Sequence, residues 1–259
     1  MTTNNSDKKY PQRVRNTLRF RELTVQRVER ISAGFQRIVL GGEALEGFTS
    51  RGFDDHTKLF FPEPGSHFTP PTVTDDGIVW ADDVRPATRD YTPLYDATRH
   101  ELAFDFFIHD GGVASQWAMA AKVGDTLTIG GPRGSLVVPE DYAWQLYVCD
   151  ESGMPALRRR LLELRQQPAA PQRVKAIVTV ADAAYQDYLE DLDNVDIDWV
   201  IGHSEQAVAE KLAALAVPAE DYFIWVTGEG AVTKALVSRF ESDEIDQQLV
   251  RYQAYWHKK

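Results

Sequence analysis

The sequence predicts a two-domain protein, with an antiparallel β-barrel first and a parallel α/β sheet after it. Up to residue 140, short strand-like runs follow one another, separated by glycines and prolines. Beyond that point, strand-like runs alternate with helical ones, as in a parallel sheet covered by helices. We therefore expect one domain over residues 1–140 and a second over residues 141–259, which ends in a C-terminal tail.

The first domain is predicted from five strand-like runs with turn residues between them. Ser32-Ala33-Gly34 forms a turn between the first two runs, and Pro62 stops the third. Gly130-Gly131-Pro132 follows the last run and is another turn signal. Short strands at such close spacing favour an antiparallel barrel or sandwich. The five runs are residues 23–31, 35–40, 57–61, 100–108 and 126–129.

The second domain is predicted from four strands and three helices. Leu157, Leu161 and Leu164 share one face of the first predicted helix, at α-helical spacing. The basic run Arg158-Arg159-Arg160 on that helix is predicted to be a solvated face, and Pro168 to Pro171 a loop. The strands are predicted at residues 145–149, 174–180, 195–201 and 222–227, and the helices at residues 155–165, 206–215 and 231–240.

Composition excludes several classes of function. The chain of 259 residues has a formal net charge of −11, whereas nucleic-acid binding needs a basic face. No apolar run approaches the ~20 residues of a membrane span, so no membrane partner is expected. The N-terminus has no apolar signal segment and the chain has a single cysteine, which together favour the cytoplasm. Without a heptad pattern, a monomer is expected.

The tetrapeptide Arg89-Asp90-Tyr91-Thr92 carries the first chemical signal. Residues alternate along a strand, so Arg89 and Tyr91 share one face. A flavin requires a flat aromatic surface, a hydroxyl near its reactive nitrogen and a cation at its pyrophosphate. Tyr91, Thr92 and Arg89 supply these in turn, and the planar fork of arginine suits phosphate. The alternative is an ordinary half-exposed strand.

A second signal follows the strand that ends at Ile108. His109 precedes a glycine pair and the small residues Val113 and Ala114, which lead into a predicted helix. Glycines at a helix start allow backbone N–H groups to approach a phosphate, and Ser115 is placed to cap the helix or bind that phosphate. The alternative for the glycines, Gly112 among them, is a tight turn before a capped helix. The alternative for His109 is a structural role in that turn.

Three further segments lie after strands of the second domain or at its end. In an open α/β sheet, ligands bind beyond the carboxyl ends of the strands. Asp150 to Ala156 follows such a strand but lacks the glycine-rich dinucleotide fingerprint, and Pro155 also fits helix capping. Thr227 to Ala231 is placed similarly. The terminal aromatics of residues 255–259 are suited to a flavin, a catecholate or the edge of a core.

Taken together, these segments resemble the siderophore-interacting protein family of the ferredoxin-reductase-like superfamily, particularly its enterobacterial ferric-siderophore reductases. The resemblance runs from about residue 15 to the C-terminus, and the segments are specific because all of them occur in order. They are FQRIVLGGEAL (35–45), DDHTKLFFP (54–62), RDYT (89–92), DFFIHDGGVASQWA (105–118), GDTLTIGGPRGS (124–135), CDESGMPAL (149–157), IWVTGEG (224–230) and AYWHKK (254–259).

The resemblance implies an FAD-binding β-barrel followed by an α/β domain that binds a nicotinamide nucleotide. It implies that Arg89, Tyr91 and Thr92 hold the flavin, with His109 and the turn from Gly112 to Ser115 lining the same site. Asp150 and Ser152 would face the flavin–nicotinamide cleft. The family's substrate site is a basic patch for an anionic chelate, whose best matching positions are Lys58, Arg133 and Arg251.

The sequence departs from the family pattern in two places. The family often has an arginine two residues after its Arg-x-Tyr-Thr motif, whereas here Thr92 is followed by Pro93 and Leu94. The family's Gly-Pro-Ala-Ser turn corresponds here to Gly112 to Ser115, in which valine replaces proline. The identity of the nicotinamide nucleotide that donates electrons is also open. Ala181 to Asp191 contains no lysine or arginine for a 2′-phosphate, which favours NADH, whereas the resemblance favours NADPH.

The resulting hypothesis is a cytoplasmic NADPH-dependent ferric-siderophore reductase that uses FAD to reduce Fe(III) in catecholate-type or other ferric chelates to Fe(II). Because the flavin supplies the redox chemistry, we expect binding residues rather than a catalytic triad, and no metal ligands. The alternatives are a general flavin or diaphorase-type reductase and a non-enzymatic siderophore-binding protein. A third alternative keeps the enzyme but replaces the nicotinamide nucleotide with ferredoxin as the electron donor.

Overall fold

The computed structural model describes residues 9–66, 68–81, 83, 85–167 and 173–258. The predicted loop at Pro168 to Pro171 and the last residue, Lys259, lie outside the described residues. The chain divides into two compact units. The β unit comprises Arg13–Leu136, and the α/β unit comprises the chain from Val137 onward together with the residues before Arg13. The predicted domain boundary at residues 140/141 stays a prediction.

The β unit contains a seven-stranded antiparallel sheet in the order β7-β4-β10-β2-β3-β9-β8. All five strands predicted in this half occur within it. The strands are β2 (Phe20–Arg30), β3 (Phe35–Gly41), β4 (Thr57–Phe61), β7 (Ala87–Tyr91), β8 (Leu94–Asp96), β9 (Glu101–Phe107) and β10 (Thr126–Gly130). Two pairs that the sequence did not predict are β1 (Gln12–Arg15) with β11 (Gly134–Val137) and β5 (Thr72–Thr74) with β6 (Gly77–Val79).

The core of the β unit lies on one face of this sheet. Along β9, Leu102, Phe104 and Phe106 are fully buried and alternate with Glu101, Ala103, Asp105 and Phe107. Each such side chain stabilises the fold by about 1.5–3 kcal/mol when it is removed from water. The helix α1 (Val113–Ala120) covers this core and buries Ala114 and Ala118 against it.

The α/β unit contains a five-stranded parallel sheet in the order β14-β13-β12-β15-β16, as the alternation of strands and helices predicts. Every residue of β12 and β15 is buried, which is typical of central parallel strands. The chain runs outward from β12 in one direction and then crosses back to β15, so a switch point lies between these two strands. The strands are β12 (Trp144–Cys149), β13 (Arg173–Val180), β14 (Asp196–Ile201), β15 (Tyr222–Glu229) and β16 (Val250–Trp256).

The helices of the α/β unit are α2 (Met154–Arg165), α3 (Glu205–Ala213) and α4 (Gly230–Val237). The longest described helix, α2, has 12 residues, and among the described residues no helix is long and apolar enough to cross a membrane. Between β13 and β14 the chain forms a 3-10 helix at Ala183–Leu189. The aromatic C-terminus, predicted as a tail, continues the sheet as its edge strand β16.

The prediction of a solvated basic face on α2 was wrong. Arg160 is 1% exposed and donates to the Tyr147 hydroxyl (2.8 Å) and to the carbonyl oxygens of Val138 (3.2 Å) and Pro139 (2.6 Å). A buried guanidinium is tolerated because these acceptors replace its water. Arg158 is also used structurally, since it forms a bidentate ion pair with Asp191.

Candidate functional site

The strand β7 carries the predicted flavin motif at the edge of the β unit's sheet. Arg89 and Tyr91 lie two residues apart on one face, and Tyr91 is paired with Thr57 of β4 across the strands. Thr92 directly follows the strand and is buried. The side chain of Arg89 donates to the carbonyl oxygen of Thr88 (2.7 Å), and within the described residues no acidic side chain forms an ion pair with it.

The turn before α1 is shaped by two glycines and by Ser115. Gly111 has a φ of +79°, and a Cβ at Gly112 would lie 2.6 Å from Cε1 of His109. The buried Ser115 hydroxyl accepts a hydrogen bond from the His109 amide (2.9 Å) and donates one to its carbonyl oxygen (2.7 Å). Ser115 therefore fixes the turn, and no described side chain caps the N–H groups of the first turn of α1.

Phe106 joins these two segments. Its ring lies 4.4 Å from the Tyr91 ring and 5.7 Å from the Trp117 ring of α1, measured between centroids. Trp117 also packs against Phe61 of β4 at 5.7 Å. The flavin motif and the start of α1, separated in the sequence, are thus fixed around one fully buried aromatic residue. Phe106 and Trp117 were not predicted as site residues, although the aromatic alternation of β9 indicates a core position.

The residues of this site fit a flavin. The Thr57 hydroxyl, beside Tyr91, is buried and has no hydrogen-bond partner among the described residues. A bound group with a polar ring edge would satisfy it, since a buried hydroxyl without a partner is costly. Burial raises the pKa of the Tyr91 hydroxyl, which therefore stays protonated as a hydrogen-bond donor. Arg89 and the uncapped amides of α1 are suitable donors to a pyrophosphate.

The three predicted substrate-binding cations have different surroundings. Lys58 projects from β4 and forms an ion pair with Asp90 of β7 (2.9 Å), with both side chains about half exposed. Arg133 lies in the β10–β11 connection, is exposed, and has no ion pair with any described acid. Arg251 lies on the edge strand β16 of the α/β unit and donates to the Gln253 side chain (2.6 Å).

A cleft lies at the carboxyl ends of β12 and β15 in the α/β unit, where the chain order predicts a ligand site. Its cavity volume is about 100 Å³. The cleft is bounded by strand ends on one side and by the first turns of α3 and α4 on the other. Asp150 and Gly228 lie at the strand ends, and Trp256 and Lys258 of the C-terminus also line it.

Asp150 is at the centre of this cleft's rim. Its carboxylate accepts hydrogen bonds from the Ser152 amide (2.9 Å), the Ser152 hydroxyl and the Trp256 indole N–H (2.8 Å). A Cβ at Gly228, where φ is +143°, would lie 2.8 Å from Asp150 Oδ2. The absence of a side chain at Gly228 therefore leaves room for the carboxylate, and the C-terminal strand is attached to the end of β12.

Two further acidic residues at this edge were not predicted. Glu151 is buried and accepts hydrogen bonds from the Ala181 amide (2.6 Å) and from His203 Nε2 (2.7 Å), so it connects the ends of β12, β13 and β14. Glu229 accepts from the amides of Ala231 (2.9 Å) and Lys258 (3.2 Å). Glu229 precedes the predicted helix, where an acidic N-cap is common, but Glu151 had no recognisable sequence signal.

Hydrogen bonds from backbone amides favour the ionised form of the Glu229 side chain. Its carboxylate accepts a hydrogen bond from the Val232 amide (3.1 Å) in addition to those of Ala231 and Lys258. The Val232 bond is the largest influence that lowers the pKa of Glu229 below its ordinary value. By contrast, burial raises the pKa of the Cys149 thiol, so this cysteine at the end of β12 is protonated and unreactive.

Comparison with protein families gives matches over both units. A family profile described as siderophore-interacting FAD-binding domain matches residues 24–136. A second profile, described as siderophore-interacting protein, matches residues 142–259. These two matches cover most of the chain and divide it close to the boundary between the two compact units.

Individual proteins with known names or structures are similar over most of the chain. The NADPH-dependent ferric-chelate reductase of Escherichia coli K12 is 69% identical over 255 residues, which are 98% of this chain and 100% of that protein. The ferric vibriobactin reductase ViuB of Vibrio cholerae is 30% identical over 81% of this chain and 78% of its own. The crystal structure of a siderophore utilization protein from T. fusca has a TM-score of 0.82 at 29% identity and covers 96% of both chains.

Proposed function

The chain belongs to the siderophore-interacting protein family, and we propose that it is an NADPH-dependent reductase that uses FAD to reduce Fe(III) in ferric siderophores or other ferric chelates. The observation that carries this proposal is the arrangement around Phe106, where Tyr91 and the start of α1 form a site suited to a flavin. The name and 69% identity of the Escherichia coli relative support the substrate and the donor.

FAD, when bound, would supply the redox chemistry, as an acceptor of hydride from the nicotinamide and a donor of single electrons to Fe(III). The chain's own residues then have binding roles. Arg89 and the first amides of α1 bind the pyrophosphate, and Tyr91 packs on one side of the ring. The hydroxyls of Thr57 and Thr92 hydrogen-bond the polar edge of that ring. These roles require no general acid and no nucleophile, and none is proposed.

We assign the nicotinamide nucleotide to the cleft at the ends of β12 and β15. Asp150, which accepts the hydrogen bonds of Ser152, lines it together with residues of the first turns of α3 and α4. At the end of β13, the Ala181 amide is occupied by Glu151, and Asp182 caps the following 3-10 helix. No cation in that segment selects a 2′-phosphate, so the preference for NADPH rests on the relative, with NADH as the alternative.

The substrate is proposed to be an anionic ferric chelate, of the catecholate type in particular, with iron released as Fe(II) in the cytoplasm. Lys58, Arg133 and Arg251 are the proposed contacts. A local positive surface on an acidic protein attracts an anionic ligand because the field near the surface is set by the nearest charges. Fe(II) has a lower charge than Fe(III) and is held less strongly by anionic oxygen ligands, which favours release.

An anaerobic titration tests the proposal. The absorption spectrum of the purified protein is recorded, NADPH and NADH are added separately, and a ferric tris(catecholate) follows together with a ferrous trap. We expect a flavin spectrum that NADPH bleaches and the chelate restores, with trapped Fe(II). A protein that binds no FAD would leave only a siderophore-binding role.

Two other outcomes identify the remaining alternatives. If neither nucleotide bleaches the flavin, a protein donor such as ferredoxin replaces the nicotinamide. If a dye is reduced equally well by the wild type and by the Lys58→Gln/Arg133→Gln variant while the variant also keeps its ferric turnover, a general flavin reductase is the better description. The proposal predicts that this variant loses ferric-chelate turnover alone.

A further inference from the structure

A buried hydroxyl near the end of β13 has no partner. The Oγ1 atom of Thr179 is shielded from water and forms no hydrogen bond with any described residue. A buried hydroxyl without a partner destabilises a fold, whereas valine has nearly the same shape and no polar group to bury. The chain has valine on both sides, at Val178 and Val180, so packing alone does not account for threonine at this position.

The Thr179 side chain lies on the face of the sheet that α3 covers. Side chains alternate across a strand, so Thr179 shares its face with Lys175, four residues earlier. Lys175 forms an ion pair with Asp198 of β14 (2.9 Å), and the same aspartate lies 3.8 Å from the ammonium group of Lys211 on α3. The face that carries Lys175 and Thr179 is therefore the one beneath α3.

On that face, Thr179 lines the cleft at the ends of β12 and β15. The cavity volume of about 100 Å³ is well below the roughly 300–1,000 Å³ of a site that encloses a complete small ligand, so it has room for only one ring of a dinucleotide. An apolar slot with an unpartnered hydroxyl suits a flat ring that has polar atoms on its edge. The apolar walls come from β12, α3 and α4 and include Val148, Val208, Val232 and Leu236.

The position of the cavity distinguishes between the two rings of the nucleotide. The described residues that line the cavity all belong to the α/β unit, whereas the proposed flavin site belongs to the β unit. A nicotinamide enclosed between α3, α4 and the sheet could not present its reactive carbon to the flavin, as hydride transfer requires. Adenine, at the other end of the nucleotide, has no such requirement. Its edge carries ring nitrogens that accept hydrogen bonds and an amino group that donates them.

We infer that this cavity takes the adenine ring and that Thr179 is a specificity-determining residue for it. The Thr179 hydroxyl donates to a ring nitrogen or accepts from the amino group, since a hydroxyl can do either. This inference rests on the proposed function, which brings the nucleotide to the cleft. Binding then satisfies a group that the free protein leaves without a partner, so the hydroxyl lowers stability in the free protein and raises affinity for the nucleotide.

The test measures affinity and stability in the same variants. Thr179→Val removes the hydroxyl and keeps the shape, whereas Thr179→Ser keeps the hydroxyl. The matched comparison is Thr227→Val, which removes from the same cleft a hydroxyl that already donates to the Gln253 carbonyl oxygen (2.6 Å). Urea titration would measure stability without nucleotide. Calorimetry on the FAD-loaded proteins would measure the binding of adenosine 2′,5′-bisphosphate and of nicotinamide mononucleotide, neither of which can donate a hydride.

We expect the dissociation constant for adenosine 2′,5′-bisphosphate to rise about threefold to tenfold in Thr179→Val and to stay near the wild-type value in Thr179→Ser. The affinity for nicotinamide mononucleotide should be the same in the wild type and in both variants. Without nucleotide, Thr179→Val should be at least as stable as the wild type. Thr227→Val should be less stable, because it breaks a hydrogen bond that the folded chain makes.

Three results would overturn the inference. They are an unchanged affinity for the bisphosphate in Thr179→Val, a loss of stability in that variant, and a weakened affinity for the mononucleotide in place of the bisphosphate. A wild type that does not bind the bisphosphate would overturn it as well. If the bisphosphate binds in this Thr179-dependent way but NADPH does not bleach the flavin, the proposed function alone is overturned.

Discussion

The two units build their ligand sites from opposite charges. The site of the β unit presents the Arg89 guanidinium, the uncapped amides of α1 and the Thr57 hydroxyl, which has no hydrogen-bond partner among the described residues. The cleft of the α/β unit is bordered by the carboxylates of Asp150 and Glu229, whose hydrogen bonds are already filled by the chain's own donors. The groups of the first site suit a phosphate-bearing cofactor, as proposed, and the second site is a cavity edged by carboxylates that the chain itself hydrogen-bonds.

This difference between the two sites matches a cofactor that stays bound in one and a nucleotide that exchanges in the other. A cofactor that stays bound gains from donors that have no other partner, because each new hydrogen bond replaces an unsatisfied group. A donor nucleotide that binds and leaves at every turnover gains from a frame that does not need rebuilding. The predictions below test this comparison, from the largest expected effect to the smallest.

Phe106→Ala should have the largest effect, because it removes the ring that both Tyr91 and Trp117 contact. Truncation of a fully buried phenylalanine costs about 3–5 kcal/mol. We expect the free energy of unfolding, measured by urea titration, to fall by about that amount and bound FAD to be lost. Phe106→Leu, which refills most of the space, should retain both stability and FAD; equal losses in the two variants would contradict the packing argument.

Arg89→Gln should weaken FAD binding without unfolding the protein. A hydrogen bond to a charged group contributes about 1.5–3 kcal/mol, so the dissociation constant for FAD should rise about tenfold to a hundredfold. Fluorescence titration of the apoprotein with FAD measures this. Arg99→Gln removes an exposed arginine of the same unit and is the matched control. An unchanged FAD affinity in Arg89→Gln would remove this arginine from the cofactor site.

Glu151→Ala should act on the α/β unit alone. It removes the carboxylate that accepts from the Ala181 amide and from the His203 imidazole, and a hydrogen bond to a charged group contributes about 1.5–3 kcal/mol of stability. The KM for NADPH should rise because the ends of β12, β13 and β14 are no longer connected, while the FAD content stays constant. The exposed Glu220→Ala serves as the control. Loss of FAD in Glu151→Ala would show that the two sites do not have separate supports.

The smallest expected effect concerns pH. Because the pKa of Glu229 is lowered in the folded protein, the unfolded chain binds the proton more readily. The stabilisation by Glu229 is therefore complete well above its ordinary value of 4.5 and is lost as the pH falls through the lowered folded value. The difference in melting temperature between wild type and Glu229→Gln should be largest near neutral pH and shrink in acid. A difference that grows in acid would contradict this assignment.

The sequence was sufficient for the order of strands and helices, because this order depends on local patterns. The strand-like run at residues 100–108 and the spacing of Leu157, Leu161 and Leu164 predicted elements that the structure confirms within a few residues. The motif at Arg89 to Thr92 likewise lies on a strand whose alternation places Arg89 and Tyr91 on one face, as expected.

The features that were missed depend on contacts between distant segments. The pairing of Lys58 with Asp90 follows from the register of β4 against β7, which no local pattern specifies. Arg160 looked solvated beside two other arginines, but the residues before β12 supply acceptors that bury it. Glu151 is important only because the ends of three parallel strands meet at it.

The central claim is that electrons pass from NADPH through FAD to a chelated ferric ion, and their stoichiometry tests it most directly. A limited amount of NADPH would be added anaerobically to the FAD-loaded protein with excess ferric tris(catecholate) and a ferrous trap. The account predicts about two trapped Fe(II) for each NADPH oxidised, with no Fe(II) from the FAD-free protein. NADPH oxidation without Fe(II), or Fe(II) formation that does not require FAD, would contradict it.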